Sequence, residues 1–174
     1  MFKIDIILPY KELFSSNGAS AVSISVKNSI LQSKFKKNIN VYGQFVRTPF
    51  SDINFNGFYA NKIIHLSKNL SILKQYLKKT KTDKTKRIIE IHNRPIYIKK
   101  LVQLNSKIVL YFHNDPITMI GSKSIKERSN LLETCSKIIF NSEWSKKQFC
   151  KDLESFYHKS KKLEVIHQST TQTK

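Results

Sequence analysis

Short apolar runs alternate along this chain with longer stretches whose apolar residues recur every three, four or seven positions. The short runs are Lys3–Leu8, Asn40–Phe45, a weaker Ile63–Leu66, Arg87–His92, Lys107–His113, Lys137–Asn141 and Leu163–His167. Their lengths and their Ile, Val, Tyr and Phe content predict strands. Helical spacing runs through Ser20–Phe35, by way of Val22, Val26 and Ile30 on one stripe and Ile24, Leu31 and Phe35 on another. It returns in Leu70–Lys79, Pro95–Leu104, Ser124–Glu133 and Ser142–Phe156. Ser124 and Glu127 have the spacing of a capping box, and Ser142 is placed to cap the last helix. Strands alternating with helices predict parallel strands joined by right-handed crossovers. The expected fold is therefore α/β: a Rossmann-like, doubly wound, mostly parallel sheet with helices on both faces. The uninterrupted apolar run of Lys107–Phe112 suits a strand buried on both sides. Gln32–Asn38 and Tyr76–Arg87 read as polar, lysine-rich connections, and no internal repeat is visible.

Composition adds limits. The chain has 174 residues, 40% of them hydrophobic, which supports one domain with a core. No window has the ~18 consecutive apolar residues of a membrane span. The N-terminus lacks the basic start, long apolar centre and small-residue cleavage site of a signal peptide. Cys135 and Cys150 have no metal-type spacing, and reduced thiols in a cytoplasmic protein are the expectation. The net charge of +19 raises two partners, nucleic acid and an anionic membrane surface. Only Arg47, Arg87, Arg94 and Arg128 are arginines, however, the residue type that reads bases and phosphates in bidentate fashion. Lysine spread along the whole chain fits compositional drift better than a dedicated patch. Between the two partners it favours the inner face of a membrane over nucleic acid.

In an open parallel sheet, ligands bind beyond the carboxyl ends of the strands. Small, polar and ionisable residues gather there. The first strand leads to Asn17-Gly18-Ala19-Ser20 ahead of a helix, a place for a phosphate or for plain capping. The next such ends are His92-Asn93-Arg94-Pro95, His113-Asn114-Asp115-Pro116 and Asn141-Ser142-Glu143-Trp144. Arg94 suits either an anionic group or a salt bridge. Asp115 and Pro116 suit a helix start, which leaves His113 unexplained at the end of an apolar strand. His92, His113 and Asp115 match no metal motif. The Gly-rich dinucleotide and P-loop patterns, the serine-hydrolase elbow and paired carboxylates are all missing.

The ordered set resembles the N-terminal domain of glycosyltransferase family 4, of the two-domain GT-B fold. It consists of Asn17–Ser20, His92–Pro95, Tyr111–Asp115, Ser136–Lys146 and Lys162–Ile166. The resemblance implies that residues 1–167 are the acceptor-side half and 168–174 the start of a linker. The C-terminal donor-binding domain would lie outside these residues, and the chain by itself is expected to be inactive. It further implies transfer of a sugar from a nucleotide-sugar donor to a hydroxyl on a glycan, lipid-linked or lipopolysaccharide acceptor, with retention and without a metal or other cofactor. Gly18 and Ala19 would approach the donor diphosphate, and His113 would hydrogen-bond the donor sugar near the reacting carbon. Asn17, Arg94, Asn114, Asp115, Ser142 and Glu143 would line the acceptor side or cleft. The sequence departs from the family at Ala19 or Asn17, where a second glycine is common, and at His167-Gln168-Ser169, where an Asn-Gly segment is common. A stand-alone basic nucleic-acid-binding protein and a one-domain Rossmann-like enzyme are the rival readings.

Overall fold

The computed structural model describes residues 2–60, 67–158 and 160–168, with Phe156 described by its backbone only. Seven strands form one sheet: β1 (Lys3–Ile7), β2 (Ile39–Gln44), β3 (Asn54–Phe58), β4 (Arg87–His92), β5 (Lys107–Phe112), β6 (Lys137–Phe140) and β7 (Leu163–Val165). Their order is β3-β2-β1-β4-β5-β6-β7, and every pairing is parallel. The chain winds outward from β1 to β3, then returns to the other side of β1 with β4. Strand order thus reverses between β1 and β4, where the loops at the carboxyl ends diverge and leave a crevice.

Among the described residues, six helices connect the strands: α1 (Ala21–Gln32), α2 (Lys68–Thr80), α3 (Ile98–Leu101), α4 (Ile125–Thr134), α5 (Glu143–Cys150) and α6 (Ser155–His158). The Rossmann-like α/β expectation holds. The helices divide unevenly between the faces. Ile7, Ile89, Ile91, Leu110, Phe112, Ile138 and Phe140 point to the face where Ile72 and Leu73 of α2, Leu101 of α3, Leu131 of α4 and Phe149 of α5 pack. Phe112, Phe140 and Phe149 form its aromatic centre, with ring centroids 5.4–5.7 Å apart. Burying each of these side chains contributes about 1.5–3 kcal/mol. The opposite face carries α1, whose Val22, Val26 and Ile30 pack on Ile6, Leu8, Ile39 and Val41. Beyond α1, on the β4–β6 part of that face, Ile88, Glu90, Val109, Tyr111 and Ile139 are only half-buried.

Local differences from the sequence reading have physical causes. The third strand is Asn54–Phe58, in which Asn and Gly dilute the apolar pattern and the edge position leaves residues half-exposed. The expected strand at Ile63–Leu66 lies outside the described residues. The helix expected over Ser142–Phe156 ends at Cys150, because the chain turns at Asp152 with φ 60° before α6. Pro95–Leu104 is a helical segment that begins and ends in 3₁₀ turns, and Asn105 closes it at φ 47°. The capping box at Ser124 and Glu127 forms as the spacing predicts. No helix among the described residues is long and apolar enough to cross a membrane.

A charge sits in the middle of β1. Asp5 is fully buried and accepts from the Arg87 guanidinium at 2.9 Å, the Tyr76 hydroxyl at 2.8 Å and the Asn40 amide at 3.1 Å. Burial and the Asp5 charge push the Tyr76 hydroxyl up, so it stays a donor. Arg87 also pairs with Asp83 at 2.9 Å, and Lys3 reaches Asp83 at 2.8 Å. Removing one partner of a buried pair strands the other charge. Asp5→Asn should therefore lower stability by about 3–5 kcal/mol, and Tyr76→Phe by about 1 kcal/mol. Urea unfolding of both variants checks this, and equal small losses would show that the network carries little energy.

Candidate functional site

The loops that follow β1, β4, β5, β6 and β7 emerge at the same carboxyl edge of the parallel sheet. After β1 the chain runs through Ser15, whose hydroxyl donates to the Thr48 carbonyl at 2.9 Å and ties this loop to the one after β2. Asn17 and Gly18 are exposed, and Gly18 has φ +75° with open space where a Cβ would stand. A side chain at Gly18 is thus opposed by backbone conformation rather than by crowding. Ser20 then caps α1 by accepting from the Ser23 N–H at 3.1 Å. Along this edge runs a groove of about 630 Å³ lined by Tyr10, Lys11, Asn17, Phe45 and Arg47 among others. Exposed Phe45 and Tyr59 stack beside it at 4.3 Å. A larger hollow of about 730 Å³ lies at the opposite, amino edge, lined by residues such as Lys84, Lys86 and Lys107. That edge lacks the converging strand-end loops, so the carboxyl edge is the candidate site.

The centre of the site is a pair of buried histidines. His92 ends β4 and His113 follows β5, and they are 2% and 9% exposed. His92 Nδ1 and His113 Nε2 are 2.7 Å apart. His92 Nε2 meets the Glu90 carboxylate at 2.8 Å, and His113 Nδ1 meets the side-chain amide of Gln168. The rings of Tyr111 and His113 stack at 4.4 Å, and those of His92 and His113 at 5.0 Å. The backbone of His113 is clamped as well. Its N–H donates to Asn93 Oδ1 at 2.8 Å, and its carbonyl accepts from Asn141 Nδ2 at 2.7 Å. Asn93 reaches this position with φ 51°, a conformation asparagine tolerates. Burial, with repulsion from His92 added, pushes the His113 imidazole down to about 3, so it is neutral near pH 7.

The remaining candidates divide. Arg94 is half-buried beside this cluster and donates to the Asn93 carbonyl at 2.8 Å. Asn114 is exposed, and its carbonyl accepts from Ser145 Oγ at 3.5 Å. Asp115 caps the turn Pro116–Thr118 by accepting from the Ile117 N–H, and Ser142 caps α5 by accepting from the Ser145 N–H. Glu143 is exposed in the first turn of α5 and lines a separate hollow with Lys147, Asp152 and His158. Burial pushes the Cys135 thiol up to about 12, so it is no nucleophile. The sequence reading did not single out Glu90, Asn93, Asn141 or Gln168 as site residues. A signal for Glu90 existed: Glu90 and His92 alternate with Ile89 and Ile91, which puts two polar groups on one face of a central strand.

No protein-family model matches the chain, and a search of curated proteins gives no match. Among solved structures it is similar to Anabaena Alr3699/HepE in complex with UDP and glucose. The TM-score is 0.61, with 12% identity over 95% of this chain and 44% of that one. It is likewise similar to Anabaena Alr3699/HepE in complex with UDP-glucose, with TM-score 0.58 and 10% identity over 96% of this chain and 44% of that one. The chain spans less than half the length of these structures, and at such identities the likeness establishes the fold.

The lowered His113 value has a consequence for stability. In the unfolded chain this imidazole takes a proton near its ordinary 6.5, while the folded state refuses it down to about 3. The unfolded state therefore binds the extra proton, and stability present above pH 6.5 is lost as pH falls. Between about pH 6 and 4.5, urea unfolding should show the wild type losing up to about 1.4 kcal/mol per pH unit more than His113→Gln. Parallel pH profiles would show that His113 is not buried in its neutral form.

Proposed function

We propose that this chain is the acceptor-side domain of a GT-B glycosyltransferase resembling family 4. It works with a C-terminal donor-binding domain and transfers a sugar from a nucleotide-sugar donor to a hydroxyl. The observation that carries the reading is the site at the order reversal between β1 and β4, in a fold shared with a protein held in complex with UDP-glucose. Gly18 and Ala19, ahead of the α1 N-terminus, suit a diphosphate, because unpaired N–H groups and the helix dipole favour anions there. Neutral His113, clamped by Asn93 and Asn141, suits a sugar hydroxyl rather than a phosphate. Arg94 adds a cation at the rim. Asn17 lines the groove beside the stacked Phe45 and Tyr59, a surface suited to a glycan or lipid-linked acceptor.

The mechanism in this reading is positioning and charge stabilisation. Backbone donors of the β1 loop and cations from the donor domain hold the leaving diphosphate, and His113 fixes the sugar near the reacting carbon. The configuration is retained and no metal is used. Asn114, Asp115 and Ser142 shape the acceptor side, Asp115 and Ser142 through the turns they cap.

The test is UDP release from UDP-glucose by the protein carrying this chain and its continuation, assayed with glycan and lipid-linked acceptors in the presence of a chelator. Transfer should persist with the chelator, and His113→Ala should lower kcat/KM by about tenfold or more, the worth of one buried hydrogen bond. Absence of nucleoside diphosphate release with all acceptors, from UDP-glucose and from other nucleotide-sugars, would sink the reading.

A further inference from the structure

The hydrogen-bond chain behind His113 has a direction, and the direction decides which ligand atom His113 accepts. An ionised carboxylate only accepts hydrogen bonds. Glu90, paired with His92 Nε2 at 2.8 Å, therefore requires the proton of His92 on Nε2. With one proton on each ring, His92 Nδ1 is left as a lone pair. It can meet His113 Nε2 at 2.7 Å only if His113 donates from Nε2. His113 Nδ1 then carries a lone pair as well, and it faces the amide of Gln168, which donates to it. The opposite direction needs a second proton on His92 and a reversed Gln168 amide. It also places a cation inside the ring stack of Tyr111, His92 and His113.

We propose that Glu90 and His92 are positioning residues that lock His113 in the Nε2–H form, so that its Nδ1 presents a hydrogen-bond acceptor to the ligand site. Gln168 occupies the place of a ligand donor. The group that replaces it must bring a hydrogen, as a sugar hydroxyl does and a phosphate oxygen at neutral pH does not. The locked histidine thus selects the sugar end of a nucleotide-sugar against its diphosphate end. This ligand assignment rests on the transferase reading, while the lock itself rests only on the geometry. Glu90 is suited to set the direction because it stands at the wet end of the chain. Its side chain is 27% exposed and borders a hollow of about 190 Å³ between Tyr111 and the serines Ser25 and Ser29 of α1 and Ser33 just after it.

The lock can be read without ligand. In the full chain labelled with ¹⁵N-histidine, two-bond ¹⁵N–¹H correlation spectra at neutral pH distinguish a protonated ring nitrogen from a bare one. The expected result is protonated Nε2 and bare Nδ1 at His113, unchanged in Gln168→Ala. Glu90→Gln, whose amide can accept or donate, should yield a mixture of tautomers at His113. Three results overturn the lock: a protonated Nδ1 in the wild type, a tautomer that follows Gln168→Ala, or a folded Glu90→Gln with an unchanged His113. Should Glu90→Gln fail to fold, the wild-type and Gln168→Ala spectra decide alone. Failure of UDP release leaves these spectra untouched, so loss of the transferase reading is distinguishable from loss of the lock.

Discussion

The carboxylate of Asp5 is the constraint on which the arrangement of the site depends. It lies in β1, an interior strand, and has no exposure to solvent, so an isolated charge there would cost several kcal/mol. Compensation comes from Arg87 at the start of β4, Tyr76 of α2 and Asn40 of β2. These three partners lie on the elements that surround β1 where the strand order reverses. A slip of one residue in the β1–β4 pairing would carry Arg87 to the other face of the sheet. The same pairing sets Ile7 opposite Ile91, which leaves His92 as the last residue of β4. An ion network at the amino end of β4 thus fixes where the histidine at its carboxyl end emerges.

The sheet's uneven cover explains how a polar chain can run through a parallel sheet. On the face packed by α2 to α5, the strands place Ile89, Ile91, Leu110, Phe112, Ile138 and Phe140 in contact with helices. A glutamate there would have no water. On the other face α1 covers β1 and β2, while Glu90 and Tyr111 stand at its flank. Partial cover gives Glu90 water at one end of the chain, and burial keeps His92 and His113 dry at the other. The choice of face thus leaves Glu90 partly exposed and both imidazoles buried.

Much of this was legible in the sequence, for reasons that can be named. Apolar runs marked β1, β2 and β4 to β7, and helical spacing marked the α1, α2 and α4 segments, because burial imposes those periods directly. His113 stood out because an ionisable residue ended an apolar strand. Asn54–Phe58 was not legible, since an edge strand needs no continuous apolar run. The Asp5–Arg87 pair was not legible either, because its partners are 82 positions apart and only the fold brings them together. The capping readings of Ser142 and Asp115 were right about local chemistry. Local chemistry, however, does not tell which of these residues face a common space. Glu143 shows the limit: it follows the same strand-end rule as His113, yet it is exposed and lines a different hollow.

Gln168 joins the exit of β7 to the histidine pair. It follows β7 and folds back to reach His113 Nδ1, while the Ile166 carbonyl accepts from the Tyr111 hydroxyl at 2.9 Å. The segment leaving the sheet is therefore held by the same strand that carries the histidine. Tyr111 near the end of β5 and His113 just beyond it stack on each other, so the first anchors the exit of β7 and the second presents its nitrogen to Gln168. A ligand hydroxyl that displaced the Gln168 amide would release one of these two tethers and leave the other in place. In the proposed reading, a ligand at His113 and the position of Gln168 would thus be linked through one strand end. The linkage needs no other moving part than the Gln168 side chain.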